Sequence, residues 1–247
     1  MRASAIEFRL RMAINAAIII LGFWAPWIET LGWGRRMTTL EWLALELSRA
    51  GIVRFTVAVP LVIVVSAIIA GLGAVLRVWG TACLGTGTVN SLDMKAGAVV
   101  ADGPFRYVHN PLYLGLWFMV AAMAFVMPVT GAVFAVVSIS VFLMRLILAE
   151  EAFLSAKIGE PYRLYVRAVP RLIPRLRTNL ESSGSRPQWM RAVLAELTPI
   201  GVFIALALLS WSYDARLIGR AILISFGASL VARALMPHSR QEASALD

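Results

Sequence analysis

The sequence contains little charge, cysteine and histidine for its length. Only 15% of its 247 residues are charged, against about a quarter in an ordinary soluble domain. This shortage, with 60% apolar residues and a mean hydropathy of +0.78, excludes an ordinary soluble enzyme and a disordered chain. The lone Cys83 excludes a disulfide-built secreted domain. His109 and His238 are too few for a multi-histidine metal site.

Basic residues exceed acidic ones by 23 to 14, which gives a net charge of +9. In so hydrophobic a chain, this excess indicates anionic lipid headgroups rather than nucleic acid as a partner. The composition therefore predicts an integral, multi-pass membrane protein.

Long apolar stretches predict an all-α fold, a polytopic membrane helical bundle of about six transmembrane helices. A span needs about 20 apolar residues, so the uncharged stretch 107–144 is too long for one. Pro128 and Gly131 predict a tight helical hairpin that divides it into helices three and four. The six helices are expected within residues 12–28, 55–76, 107–144, 197–213 and 217–236.

The first stretch also fits a cleaved signal peptide, because three arginines precede it. Trp24, Pro26 and Trp27 follow in place of a small-residue cleavage site, which favours a retained helix with an interfacial aromatic belt. With six spans, the face that holds both termini carries 17 basic residues and the opposite face 6. The positive-inside rule then predicts that both termini are cytoplasmic.

We expect a single membrane domain over residues 1–247. The linker-like stretch 182–187 separates its main body from a C-terminal helical pair at 191–236. In the loop 34–54, on the face opposite the termini, residues 39–47 have the pattern of an amphipathic helix lying on that interface.

Two polar segments share the predicted cytoplasmic face. In the first, Gly103-Pro104 and Asn110-Pro111 are turn signals, and Pro111 suits the first turn of helix three. The free amides of that turn can receive an anionic group. The alternative is a headgroup-facing loop with an interfacial arginine and tyrosine.

The second segment begins with Glu150 and Glu151 at the end of helix four. Adjacent helical residues point about 100° apart, so at most one of the two faces the bundle interior easily. Glu150 either faces a pocket or is solvated, and we expect Glu151 to be solvated. The basic stretch 159–174 follows. Its alternative role is to rest on anionic lipid.

In this order, the two segments resemble the integral membrane methyltransferases that include isoprenylcysteine carboxyl methyltransferases and phospholipid N-methyltransferases. That family shows a Gly-Pro-aromatic-Arg loop, then Arg-His-Pro or Arg-Asn-Pro before x-Tyr-x-Gly. A helical hairpin follows, then Glu-Glu and a Tyr-x-x-Tyr that ends in Val-Pro. The matching residues lie at 103–106, 109–115, 150–151 and 162–170, within a catalytic core of about 77–174. The C-terminal helical pair looks like an extension of that core.

The resemblance implies S-adenosylmethionine-dependent methyl transfer to a membrane-embedded, lipid-like or prenylated acceptor. His109 stands where the family usually has arginine and Asn110 where it often has histidine, so neither position carries a permanent charge. The residues that the resemblance implies for cofactor binding are Gly103, Pro104, Arg106, His109, Asn110, Pro111, Tyr113, Gly115, Glu150, Glu151, Tyr162 and Tyr165.

The acceptor determines which catalytic groups are required. O-methylation of a carboxylate needs a cation to hold it, for which we expect Arg163 or Arg167. N-methylation of a headgroup amine needs a base, for which Glu150 is the candidate. Two other classes remain: a non-enzymatic lipid- or partner-binding scaffold with a degenerate cofactor site, and a small transporter. The lack of a central acidic residue in any predicted span speaks against transport.

Overall fold

The computed structural model describes residues 2–84, 102–175, 177, 180, 186–212 and 215–235. Within these ranges the regular secondary structure is helical, apart from one β-bridge between Thr38 and Pro128. This confirms the predicted all-α fold. The helices are α1 (Ala5–Arg9), α2 (Arg11–Trp24), α3 (Trp27–Thr30), α4 (Thr39–Arg49), α5 (Phe55–Leu84), α6 (Pro111–Ala124), α7 (Val129–Ile158), α8 (Glu160–Ala168), α9 (Trp189–Ala195), α10 (Leu197–Ser212) and α11 (Ala215–Leu235).

Two helices, α5 and α7, are long and apolar enough to cross a membrane, with 30 residues each. The pair α9 and α10 meets the same criteria when taken together, although it bends by 69°. By contrast, α2 and α6 have 14 residues each. At 1.5 Å per residue they are about 21 Å long, less than the roughly 30 Å of a bilayer core. The described residues thus contain two or three candidate spans, and six spans remain a prediction.

The outer face of α5 carries large apolar side chains that are exposed. They recur at the three- and four-residue spacing that defines one side of a helix. Such a stripe is costly in water and is typical of a surface covered by lipid. This supports an integral membrane protein. The stripe consists of Val57, Leu61, Val64, Ile68, Leu72 and Val75.

The long uncharged stretch breaks between Ala124 and Val129, the residues at which α6 ends and α7 begins. Pro128 lies directly before α7, where a proline cannot disturb a preceding helical turn. The start of α4 packs on this break, with the Thr39 amide 2.9 Å from the Met127 carbonyl. The predicted amphipathic segment is thus helical, within α4. Its place at a membrane interface remains a prediction.

Gly131 was expected in the turn, but this expectation is wrong because it lies inside α7. There it crosses α2: a Cβ added to Gly131 would lie 1.9 Å from the Gly22 carbonyl oxygen. Gly73 of α5 and Gly115 of α6 form a similar crossing, since a Cβ on Gly115 would lie 2.9 Å from the Gly73 oxygen. Glycines at crossings let helix backbones approach closely where no strong hydrophobic effect drives association.

The helices contact one another in the spatial order α11, α10, α5, α6, α7 and α2. The largest buried cluster lies between α6 and α7 and includes Met119, Val120, Ile139 and Leu146. Because α6 and α7 are antiparallel neighbours in the chain, the start of α6 and the later turns of α7 lie at the same end. The two polar segments of the sequence meet at this end.

Candidate functional site

The Gly-Pro-Phe-Arg segment forms a 3-10 turn, Gly103–Arg106. Gly103 has a φ of +53°, which favours glycine. A Cβ there would also lie 2.5 Å from Cys83 Sγ and 2.7 Å from Trp79 Nε1. Glycine is therefore needed at this position for the turn to pack against the end of α5. Its neighbour Pro104 is buried.

Arg106 binds the protein chain itself in this structure. Its guanidinium donates from Nε to the Leu180 carbonyl at 2.9 Å, and Nη2 donates to the same oxygen. Arg106 thus links the 3-10 turn to a residue that follows the second polar segment. The structure thus gives Arg106 a role in holding the loop, whereas the resemblance implies that it binds the cofactor.

Two buried tyrosines lie on the helix α8, which contacts the 3-10 turn. Gly159, with a φ of +79°, separates α7 from α8, and Pro161 lies in the first turn of α8. Tyr162 and Tyr165 are buried, and the Tyr165 hydroxyl donates to the Phe105 carbonyl at 2.7 Å. Burial raises the pKa of both phenols, because a phenolate would lose its hydration. Both tyrosines therefore act as neutral packing groups.

The structure does not bring Arg163 and Arg167 to the site, so the expectation that they hold an acceptor is not supported. Arg163 forms an exposed ion pair with Glu160 at 2.9 Å, and Arg167 is exposed. The physical reason is the helical period of α8: Tyr162 and Tyr165 occupy its buried face, which leaves the arginines on the outer one.

Four polar residues from three chain segments form one hydrogen-bonded group, which we call the Glu151 cluster: His109, Asn110, Glu151 and Arg171. Arg171 donates to both carboxylate oxygens of Glu151, at 2.9 and 2.8 Å. His109 Nε2 lies 2.6 Å from Oε1 of the same carboxylate, and the Asn110 amide nitrogen 3.5 Å from it. The bonds to Glu151 raise the pKa of Arg171. The cluster holds together the loop before α6, the helix α7 and the strap 169–171.

Both ring nitrogens of His109 face acceptors. Nδ1 lies 3.1 Å from the Val169 carbonyl oxygen, and Nε2 lies beside the Glu151 carboxylate. A carbonyl and a carboxylate oxygen cannot donate, so both nitrogens donate only when the ring is an imidazolium. The backbone amide of His109 also donates to the Pro170 carbonyl at 3.0 Å. His109 therefore holds the strap 169–171 in place, which argues against its expected contact with a ligand.

The expectation that Glu151 is solvated is wrong. Its side chain is only 12% exposed, and three donors surround it. Local residue spacing does not point to Arg171 as a partner, although Pro170 is a usable signal in the sequence. A proline forces the preceding residue, Val169, into an extended conformation and ends α8. The chain then turns back toward α7 and brings Arg171 to the carboxylate.

Glu150 has a separate partner on the neighbouring helix. The Tyr113 hydroxyl of α6 donates to Glu150 Oε2 at 2.8 Å. Arg11, the first residue of α2, interacts electrostatically with both groups. The side chain of Glu150 is partly accessible, and its second oxygen can accept from a ligand. This Tyr113–Glu150 pair is the strongest candidate for ligand contact among the described residues.

Two other expected cofactor residues, Pro111 and Gly115, lie where α6 packs against α5. The Pro111 ring lies near Gly80, and Gly115 lies against Gly73 and the Arg77 side chain. Direct binding by these two residues is therefore not supported by their placement. Their role in this structure is to set the position of α6, which carries Tyr113.

Part of the chain is similar to known methyltransferases. Residues 61–160 match the phospholipid methyltransferase family. Over 70 residues, the chain is 44% identical to the methanethiol S-methyltransferase of Crocosphaera subtropica, and this match covers 28% of the chain and 27% of the relative. No solved structure matches the chain. The region that matches the family includes most of α5, the whole of α6 and α7, and the Tyr113–Glu150 pair. Over residues 61–160 the chain is therefore similar to the phospholipid methyltransferase family, the type of membrane methyltransferase that its motifs resemble.

Proposed function

We propose that this protein transfers a methyl group from S-adenosylmethionine to an acceptor that reaches the site from the membrane. The observation that carries the proposal is the Tyr113–Glu150 pair, bonded at 2.8 Å between α6 and α7 inside the region that matches the methyltransferase family. The pair lies near the end of an apolar helix long enough to span a bilayer. A water-soluble donor and a bilayer-soluble acceptor can meet at such a place.

The chemistry of these residues fits the donor. S-adenosylmethionine would supply a methyl group bonded to a sulfonium sulfur; the acceptor would attack the methyl carbon in line, and the S–C bond would break to release the thioether S-adenosylhomocysteine. The free oxygen of Glu150 suits an ammonium group or ribose hydroxyls, and the first-turn amides of α6 suit a carboxylate. Positioning of two reactants contributes roughly 7–11 kcal/mol to such a reaction. In this proposal the Glu151 cluster does not touch the donor but fixes the loop that leads into α6.

A lipid-like or prenylated acceptor agrees with the apolar exposed face of α5, along which a lipid chain can lie. If the acceptor is a carboxylate, Arg11 is a better candidate to hold it than Arg163 or Arg167, because Arg11 interacts with Glu150 and Tyr113. If the acceptor is a headgroup amine, Glu150 is the base that removes its proton. Anionic headgroups are the expected surroundings of the basic face.

A small thiol is a second candidate acceptor. Its support is the relative that is named for methanethiol S-methylation and is 44% identical over the matched 70 residues. A thiol is a weak nucleophile until it loses its proton, and Glu150 is again the group that accepts that proton in this proposal. In this proposal a thiol and a headgroup amine share Glu150 as the base, whereas a carboxylate acceptor needs no base.

Binding of S-adenosylhomocysteine, the demethylated product, tests the proposal. We expect micromolar affinity for the purified protein in lipid nanodiscs and at least a tenfold loss in Glu150→Gln. The matched control is Glu160→Gln, because Glu160 is an exposed carboxylate in an ion pair with Arg163. Absence of binding to the wild type would instead favour the non-enzymatic scaffold. Labelled S-adenosylmethionine, offered with membrane lipids in one assay and methanethiol in another, then distinguishes the acceptors.

A further inference from the structure

Glu196 is a buried carboxylate outside the region that matches the family. It lies between α9 and α10, at the point where the pair bends by 69°, and its side chain is 1% exposed. Arg77 of α5 donates to both of its oxygens, from Nε at 2.6 Å and from Nη2 at 2.9 Å. The Thr81 hydroxyl adds a third bond at 2.7 Å. A buried charge is stable only when paired and hydrogen-bonded in this way.

Arg77 also reaches the start of α6. Its third nitrogen, Nη1, donates to the Leu112 carbonyl at 3.3 Å. The stem of the side chain crosses α6 at Gly115, where an added Cβ would lie 2.6 Å from Arg77 Cγ. The guanidinium therefore lies between Glu196 and the first turn of α6. The next residue after Leu112 is Tyr113, which bonds Glu150.

We propose that Glu196 is a positioning residue, which acts through Arg77 to hold the first turn of α6 and thereby the Tyr113–Glu150 pair. Without the Glu196 carboxylate, the partly buried guanidinium loses its fixed orientation and its bond to Leu112. The helices α9 and α10 then help to position the site, although they lie beyond the region that matches the family. The functional consequence rests on the proposed function, whereas the effect on α6 does not.

The competing explanation is that the bonds of Glu196 only anchor α9 on α5. A second anchor is present, because the Gln188 amide donates to the Ala82 carbonyl at 2.9 Å. An anchor would affect α9 and α10 and leave α6 unchanged. A positioning role would change α6 as well. The location of the change therefore distinguishes the two explanations.

The experiment compares Glu196→Gln with Thr81→Val in the full-length protein in nanodiscs. Thr81→Val removes one bond to Glu196 but leaves its pairing with Arg77. Hydrogen exchange of the α6 amides at residues 114–118 gives a readout that needs no ligand. We expect at least tenfold faster exchange there in Glu196→Gln and less than a twofold change in Thr81→Val. Faster exchange confined to α9 and α10 would overturn the proposal.

Titration with S-adenosylhomocysteine measures whether ligand binding depends on Glu196. Where the wild type binds, we expect at least tenfold weaker binding in Glu196→Gln and a change below twofold in Thr81→Val. Unchanged affinity in Glu196→Gln would show that the site does not depend on it. A wild type that does not bind would refute the proposed function, while the exchange result would still decide the role of Glu196.

Arg77→Lys covers the case in which Glu196→Gln does not fold. The lysine keeps the charge opposite Glu196, but its single amine cannot also reach Leu112. We expect faster exchange at residues 114–118 in this variant. Normal exchange there would contradict a link through Arg77.

Discussion

Glu150 and Glu151 are adjacent in sequence but serve different parts of the molecule. Glu150 bonds Tyr113 on α6, and Glu151 bonds His109 and Arg171. The helical period predicted that the two carboxylates diverge, and this is confirmed. It did not predict that both find partners, because the position of Arg171 depends on how the strap after α8 folds back. The spacing of residues along the chain does not predict long-range pairing of this kind.

Substitution of the two glutamates should therefore have different effects. Glu151→Gln should destabilise the protein by about 1.5–3 kcal/mol, the range for losing a hydrogen bond to a charged group. Glu150→Gln should weaken S-adenosylhomocysteine binding with a smaller effect on stability. Thermal unfolding in nanodiscs and ligand titration measure the two effects. The reverse pattern, with Glu151→Gln folding normally and failing to bind, would move the contact with the donor to the Glu151 cluster.

The two buried tyrosines of α8 predict an alkaline limit to stability. Burial raises the pKa of Tyr162 and Tyr165, so the folded protein favours the neutral phenols. This contribution is present below the unfolded pKa of about 10 and is lost as the pH rises above it. We expect α8 to detach at alkaline pH, together with a rise in tyrosinate absorbance. Replacing both tyrosines with phenylalanine should flatten this pH dependence, at the cost of about 1 kcal/mol for the bond from Tyr165 to Phe105. An unchanged alkaline transition in the double variant would place its origin elsewhere.

At the scale of helices, glycines determine how closely the elements approach. The sequence predicted the break at Pro128, and the structure places it between Ala124 and Val129. Gly131 was assigned to the same turn because turns and helix crossings both favour glycine. Only the position of α2 shows which of the two applies, since Gly22 lies against Gly131. The same ambiguity affects Gly115, which the family resemblance assigned to the cofactor and the structure places against Arg77.

Gly131→Ala should separate α2 from α7. The added methyl group would lie 1.9 Å from a backbone oxygen, which cannot move as a side chain can. Overpacking of this kind costs about 1–3 kcal/mol. The control is Gly227→Ala in α11, where an added Cβ has nothing within 4 Å and alanine favours the helix. Thermal unfolding of both variants in nanodiscs is the measurement. Equal stability of the two would show that α2 does not press on α7 at this point.

At the scale of the whole molecule, composition predicted the all-α architecture and the apolar surface, because both follow from the amount and period of apolar residues. The number of spans was harder to predict. A stretch of low charge shows where a helix can be buried, but α2 and α6 end after 14 residues each. Their ends are fixed by contacts with other helices and loops. The C-terminal pair as an extension of the core stays a prediction, and Glu196 links this pair to α5 through Arg77.

The two ends of the bundle differ in their number of basic residues, and this difference predicts the orientation in the membrane. The helix α4 packs on the break at the end of α6, and the Glu151 cluster lies at the start of α6. These features therefore occupy opposite ends of α6 and α7. The sequence assigns 17 basic residues to the face with the cluster and 6 to the other, so we propose that the cluster and both termini are cytoplasmic.

Labelling of single cysteines tests this orientation, because Cys83 is the one native cysteine and serine can replace it. In that background, Ala50→Cys places an exposed thiol at the end of α4, and Ala168→Cys places one at the end of α8. A membrane-impermeant maleimide should label Ala50→Cys in intact cells. It should label Ala168→Cys only after the membrane is permeabilised, since α8 packs beside the cytoplasmic cluster. Labelling of Ala168→Cys but not Ala50→Cys in intact cells would invert the orientation. It would also place the site on the face that cytosolic S-adenosylmethionine does not reach, so the same result would contradict the proposed donor.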